Sequence, residues 1–337
     1  MNENNESNEN NGKICRSELI FLYDAQFINP NGDPLDDNKP RIDIDSGVNL
    51  VTDVRLKRTI RDYLNEYKNE EIFVREIEDE KGNIQDAKLR AKDFLTDENG
   101  NEINISNIKD INQMKEIMQE NILKKCIDIR LFGGTIPIEL TVGKSKKGGS
   151  VTLTGPVQFR FGKSLHKVEL MYIKGTGAFA SEAGKGQKTF REEYVLPYSL
   201  ISFYGIINEN AGKYTNLSVE DITKLIDGMW NGTKNLISRS KIGQTPRLLI
   251  KVNYKENNYH IGDLDKSIKL ISNVGEGIRS TEDYKLDITN LINLLEDNKD
   301  NIENIEYMWD KRLNLQYNNK PFNFENIGSL EFVKLSL

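Results

Sequence analysis

The order of patterns in this sequence predicts an α/β (α+β) fold: a ferredoxin-like βαββαβ sheet carrying large insertions. Three observations lead there. An unbroken apolar run, Leu19 to Tyr23, reads as a buried central strand and is followed by an amphipathic helix. Strand-like alternation fills the middle of the chain, and a second strong amphipathic helix leads into a further apolar strand.

Taken in order, residues 1–13 are polar and of low complexity, with nothing to bury, and are expected to form a disordered tail. After the first strand, NPNGDP at Asn29 to Pro34 combines two X-Pro bonds with an Asn-Gly pair, which is turn chemistry. Thr52 and Asp53 suit an N-cap and first turn. Beyond them Leu56, Ile60, Tyr63, Leu64 and Tyr67 fall on one helical face, with Arg55, Arg58 and Arg61 on the other side and Lys57 at the margin. Residues 68–108 are charged and weakly periodic, so they read as an insertion of short elements. A helix is expected from about Lys109 to Lys125, ended by Gly133 and Gly134.

Val151, Leu153, Val157, Phe159 and Phe161 alternate with polar residues and predict one strand with a single apolar face. Residues 168–194 read as a long hairpin whose Gly-rich tip is too small and polar to pack on a core. The next helix opens with Ser218 and Asp221 as a capping-box variant and turns Ile222, Leu225, Ile226, Met229, Trp230 and Leu236 inward. A basic loop, Ser238 to Pro246, precedes the strand of Leu248, Ile250, Val252 and Tyr254. A helical stretch near Tyr284 to Leu295 and a strand-like end at Leu330 to Leu337 complete the expectation.

Composition narrows the function classes. The 337 residues are 37% hydrophobic, and a mean hydropathy of -0.58 describes a polar chain. No apolar run approaches the roughly 20 residues of a membrane helix and the N-terminus has no apolar core of a signal, so a cytoplasmic protein without membrane contact is expected. Only two cysteines and two histidines are present, widely spaced, which leaves little for a zinc site or a His-dependent nucleophile. Both thiols, Cys15 and Cys126, are expected to be buried and reduced. Neither a Walker loop nor a dinucleotide fingerprint is found, and no cofactor is expected. The net charge of -6 opposes a globally basic surface but permits a local basic groove, because screening acts over about 10 Å.

The basic helix is therefore the main candidate. One account is a solvated amphipathic helix; the other is phosphate binding, in which Arg forks onto two oxygens and Lys acts as a mobile point charge. Four such residues on single-stranded phosphates would contribute about -3 to the slope of log affinity against log salt. The carboxylates Asp33, Asp36, Asp37, Asp43 and Asp45 invite a Mg²⁺ site, yet Asp beside Pro, Gly and Asn is ordinary turn chemistry and no second acidic cluster completes it. In the hairpin, Lys174, Lys185, Lys188 and Arg191 interleave with Phe179 and Phe190 as single-strand binders do, and a solvated hairpin explains them equally.

NPNGDPLDDNKPRID, VTDVRLKRTIRDYL, DIRLFGGTIP, TGPVQFRFGKSLHKVE, EYVLPYSLISFYG and WNGTKNLISRSKIGQTPRLLIKV together resemble the Cas-seven family, the backbone subunits of CRISPR Cascade complexes, and most of all its type I-B branch. The resemblance covers Ser17 to Tyr254 in order. It implies an RRM-like palm (14–67, 109–167 and 195–337), an inserted fingers region at 68–108 and a thumb hairpin at 168–194. It also implies a non-catalytic subunit that polymerises head to tail along a guide RNA (crRNA) and presents it to target DNA beside other Cascade subunits, with sequence read by base pairing. By position it points to Lys57 and Arg61, then Arg58, as guide-phosphate contacts, with Arg55 on the same helix. Asn31, Arg41 and Thr52 would position the backbone, Phe179 would be a thumb wedge, and Arg239 and Lys241 would be further contacts. Related type III subunits cut RNA with a loop aspartate, and Asp33 lies in a comparable region, so a Mg-dependent ribonuclease is the rival; a stand-alone RNA-binding regulator is a third reading.

Overall fold

A computed structural model describes residues 14–78, 82–108, 110–142, 145–176, 190–324 and 330–336. The expected tail at 1–13 and the hairpin-tip candidates Phe179, Lys185 and Lys188 lie outside them. The chain forms two compact units, one of Arg16–Tyr63, Gln158–Ile207 and Asp227–Leu337, the other containing Leu64–Val157 and Asn208–Ile226.

The first unit is built on a sheet whose main strands, in chain order, are β1 (Ser17–Ile28), β2 (Val48–Val51), β3 (Gly162–Lys167), β4 (Phe190–Ile207), β5 (Gln244–Tyr254), β6 (Ile302–Trp309) and β7 (Phe332–Lys334). Their spatial order is β7-β6-β5-β1-β4-β3-β2, antiparallel except for the β6 and β7 pair. The run Leu19 to Leu22 is wholly buried because β1 lies between β4 and β5 and is covered on both faces, which is why it carries no polar alternation. On one face Ile20, Leu22, Leu248 and Ile250 pack with Ile305, Leu286 and Leu291, the last on a helix at Thr289–Asp297. On β1 and β4, Tyr23 stacks on Phe203 with ring centroids 6.2 Å apart.

Two buried carboxylates inside this unit, Asp24 and Glu18, are well paired. Arg247 holds Asp24 at 2.7 Å and Asp310 at 2.6 Å, and Tyr198 donates its hydroxyl to Asp24 at 2.9 Å. Burial pushes the Asp24 carboxyl above its ordinary range, against the pull of Arg247. Glu18, fully buried, accepts from the Tyr204 and Tyr254 hydroxyls and from the backbone N–H groups of Ile261 and Gly262 at 2.9 and 3.0 Å.

The second unit has its own core. The helix Ile111–Lys125 turns Met114, Met118 and Ile122 toward Phe73, Phe94 and the hairpin of Gly133–Val142 with Ser145–Thr154. The helix Ile111–Lys125 and the hairpin that follows it thus pack with Phe73, Ala91, Phe94 and Leu95 of the preceding segment. The Arg90 guanidinium lies 4.6 Å from the Phe94 ring centroid, and Arg130 forks onto Asp221 at 2.8 and 2.9 Å. The expected capping pair at the next helix is present: Ser218 N donates to Asp221, and Asp221 N to the Ser218 hydroxyl, both at 3.0 Å.

Several expectations are corrected. The single strand at Val151 to Phe161 is broken at Gly155 and Pro156 into Ser145–Thr154 and Val157–Phe159, and Phe161 is exposed. Tyr67 is also exposed, because the last turn of its helix outruns the core. Tyr284–Asp287 is a strand, and the helix begins only at Thr289. The second arm of the hairpin runs on as β4 to Ile207, and the C-terminal strand shrinks to Phe332–Lys334. Of the thiols, Cys126 is buried and Cys15 half-buried, and neither is in a disulfide among the described residues. No helix among the described residues is long and apolar enough to cross a membrane.

The buried charge trio yields a prediction. Replacing Asp24 with Ala should cost about 3 kcal/mol, because Arg247 keeps only Asp310 and Tyr198 loses an acceptor. Urea unfolding checks it; a shift no larger than that of the exposed Arg58→Ala variant, expected within about 0.5 kcal/mol, contradicts it.

Candidate nucleic-acid interface

The site is assembled from three segments of the first unit: the loop from Asn29 to β2, the opening turns of helix α1 (Asp53–Lys68), and the loop entering β5. In the first loop Gly32–Asp33 pairs with Lys39–Pro40 as a short ribbon, its turn made by Asp37 and Asn38 at φ 46° and 54°. The Asn31 side-chain oxygen accepts from both the backbone N–H and the hydroxyl of Thr52, at 2.9 and 3.0 Å. Thr52 in turn accepts from Arg55 N at 3.3 Å, so it caps α1 as expected while being held by the loop.

Arg41 pairs with Asp33 at 2.8 Å, and its backbone N–H donates to the Asn31 carbonyl at 3.3 Å. The other Asp33 oxygen accepts from Leu35 N at 3.0 Å. Both oxygens are thus engaged by the loop itself. Among the described residues no group of three or more His, Cys, Asp or Glu is placed to hold a metal ion.

The basic residues of α1 are not one uniform solvent stripe. Lys57 points to one edge, where its ammonium meets Asp53 at 3.1 Å and the Gln158 side-chain oxygen at 3.2 Å. Arg58 is the most exposed, its side chain 62% accessible, with Asp62 at 3.5 Å. Arg61 is half-buried one turn beyond Lys57. Arg55, expected on the open side, is corrected to a largely covered position: it donates to the Thr59 hydroxyl at 3.2 Å, and its Nε is buried without a partner. Burial pushes its pKa below the usual arginine value.

The third segment is clamped to β1. Gly243, at φ 118°, donates no side chain to the contact: a Cβ there would lie 2.8 Å from the Gln26 carbonyl, and Gln26 N reaches the Gly243 carbonyl at 3.2 Å. This turns Lys241 inward, where it donates to the carbonyl oxygens of Asn29 and, at 3.1 Å, Pro30. Burial and then the nearby charge of Arg55 pull its pKa down to about 8. Arg239 pairs with Glu193 of β4 at 3.1 Å. Lys241 thus fastens this loop and shares its field with Arg55, and Arg239 already has a carboxylate beside it.

Of the sequence-predicted residues, the structure brings Asn31, Arg41, Thr52, Arg55 and Lys241 into one network, and places Lys57, Arg58 and Arg61 on the helix that leaves it. The pairing of Lys57 with Asp53 was missed although its i,i+4 spacing marks it, and Gln158 had no local signal, since it arrives from 101 positions away.

The chain is similar to known proteins in sequence and in fold. Residues 15–289 match the family model described as CRISPR-associated protein Cas7. A protein of Haloferax volcanii described as CRISPR-associated protein Cas7 is 34% identical over 328 residues, covering 94% of this chain and 93% of its own. In fold, the chain is similar to a chain of a solved CRISPR RNA-guided surveillance complex in its pre-nicking state, with a TM-score of 0.54 and 12% identity over 95% of this chain and 96% of that one. The chain belongs to the CRISPR-associated protein Cas7 family.

Proposed function

We propose that this chain is the guide-RNA-binding backbone subunit of a type I CRISPR interference complex, and that it carries out no chemistry itself. Copies polymerise head to tail along the guide, alongside other Cascade subunits, and present its bases for pairing with target DNA. In this reading the sheet unit is the palm. The order β5-β1-β4-β3, with α1 and a later helix in between, is the one a βαββαβ sheet takes. The 68–108 region is the fingers insertion, and the arms Met171–Thr176 and the start of β4, paired from Thr176 with Phe190 to Met171 with Val195, are the base of a thumb.

The observation that carries the proposal is a set of cations with too few counter-charges. Arg55 lowers the proton affinity of Lys241, whose ammonium donates to carbonyl oxygens, and the buried Nε atoms of Arg41 and Arg55 have no hydrogen-bond partner among the described residues. Leaving donors and like charges half-buried is costly unless an anion completes them. A phosphodiester does so, and Lys57, Arg58 and Arg61 continue the track along α1. The engagement of both Asp33 oxygens speaks against the ribonuclease rival.

Three tests follow. In the first, Lys57→Ala combined with Arg61→Ala should weaken binding of single-stranded RNA across sequences and flatten the salt slope by about 1.4, two phosphate contacts' worth; fluorescence anisotropy across a salt series reads it, and an unchanged slope would make these residues mere surface. The second uses pH. RNA phosphate favours the charged form of Lys241, so binding takes up a proton once the free ammonium begins to titrate, and affinity should fall as pH rises through about 8. Lys241→Arg, charged throughout, should remove that fall; a fall that persists contradicts the assignment. Third, incubation with labelled RNA and Mg²⁺ should give no cleavage, whereas cleavage abolished by Asp33→Ala would establish the ribonuclease. Sizing with a guide-length RNA separates a filament, growing with RNA length, from a regulator of fixed stoichiometry.

A further inference from the structure

Beyond Leu196 the hairpin leaves the sheet. β1 pairs with β4 as far as Ile28 and Leu196, and from there the arms Met171–Thr176 and Phe190–Val195 have only each other as strand partners among the described residues. At the same point Phe27 takes a left-handed φ of 51° and drops out of the register. The space that opens there is a cleft of about 360 Å³ and not a packed core; Phe27, 54% exposed, lines it together with Asp37, Glu192, Glu193, Tyr194 and Arg239.

Two cationic side chains hold the hairpin base, one on each face. Successive residues of a strand point to opposite sides. Tyr194 stands directly opposite Tyr172 in the pairing, their ring centroids 5.2 Å apart, and the Lys39 ammonium lies 5.3 Å from the Tyr194 centroid. Glu193, on the other side, pairs with Arg239 at 3.1 Å. Lys39 belongs to the ribbon after Asn29 and Arg239 to the loop before β5. Lys241 ties those two segments together by donating to the Asn29 and Pro30 carbonyls. The contacts therefore close a ring from ribbon to hairpin to loop and back to the ribbon.

Each grip is weak by itself. Lys39 also pairs with Asp36, and the Arg239 side chain is 57% accessible, so water and the neighbouring carboxylate take part of each charge. A buried core would fix the hairpin whatever its loops did; two surface cations make its angle follow the loops they stand on. We infer that Lys39 and Arg239 are positioning residues, which hold the hairpin at its angle to the sheet and so register it to RNA bound along the Asn29 loop and α1. The inference rests on the RNA-binding function proposed above and assigns both cations to the hairpin in place of phosphate.

Hydrogen exchange of the full chain without RNA tests the grip. In Lys39→Met combined with Arg239→Gln, amides of residues 171–176 and 190–195 should exchange about fivefold faster, since exchange reports local opening, while global thermal unfolding barely moves. Affinity for a fluorescein-labelled single-stranded RNA of mixed sequence should fall by about the same factor with its salt slope unchanged, because no phosphate contact is lost. Lys39→Arg keeps the cation over the ring and should behave as wild type, and Glu193→Arg with Arg239→Glu, which restores the pair in reverse, should return both exchange and affinity. Unchanged exchange in the double variant overturns the inference. So does a salt slope flattened by about 1.4 with exchange unaltered, which makes the two cations phosphate contacts. If the wild type binds no RNA, the proposed function falls, and exchange alone still decides whether these residues hold the hairpin.

Discussion

The basic site depends on one side-chain oxygen. Asn31 Oδ1 receives both the N–H and the hydroxyl of Thr52, and the Thr52 hydroxyl receives the Arg55 N–H in the first turn of α1. A helix start is otherwise a set of unanswered donors able to rotate with the loop before it. Here the loop and the helix are one hydrogen-bonded piece, so the phase of α1, and with it the directions of Lys57, Arg58 and Arg61, is set by the Asn29 to Pro40 turn. The basic loop before β5 is fastened to the same turn through Lys241, which bonds the carbonyls of Asn29 and Pro30.

The same residue types are put to opposite uses within this unit. Arg247 is buried between two aspartates and a tyrosine-bound network, every charge answered, and serves stability. Arg55 and Lys241 are half-buried near each other, and their hydrogen bonds go to hydroxyl and carbonyl oxygens, with Asp62 acting on Arg55 only at longer range. Neutral acceptors satisfy hydrogen bonds without cancelling charge, so the second pair keeps a local positive field despite a net chain charge of -6. Local arrangement, and not composition, makes a polyanion a plausible partner. Phe27 extends the contrast: a residue that costs backbone energy is kept exposed in a cleft where no apolar core rewards it.

Much of this was legible in the chain. The apolar run of β1, the turn chemistry of NPNGDP, the Thr52 cap, the face of α1 from Leu56 to Leu64 and the Ser218 and Asp221 pair all stand where local pattern put them. Each depends on contacts within a few residues. The misplacements have a different character. Tyr67 fits the helical period but lies past the end of the core, and Gly155 with Pro156 divides a stretch whose alternation reads as continuous. β6, with its alternating IENIEYMW, was missed because the sequence around it is polar.

The sequence alone therefore determined the central strand β1, the helices at α1 and after Ser218, where α1 begins, and that its basic residues gather on one helix beside a rigid turn. Periodicity and capping act over one or two turns, and they survive without knowledge of neighbours. Only the tertiary structure decided that Arg55 is covered while Arg58 is open, that Lys241 turns inward, that Asp33 is spent on Arg41, and that Phe27 faces a cleft. Those outcomes depend on partners far along the chain, Gly243 against Gln26 and Gln158 against Lys57, which desolvate or pair a side chain only once the sheet has formed.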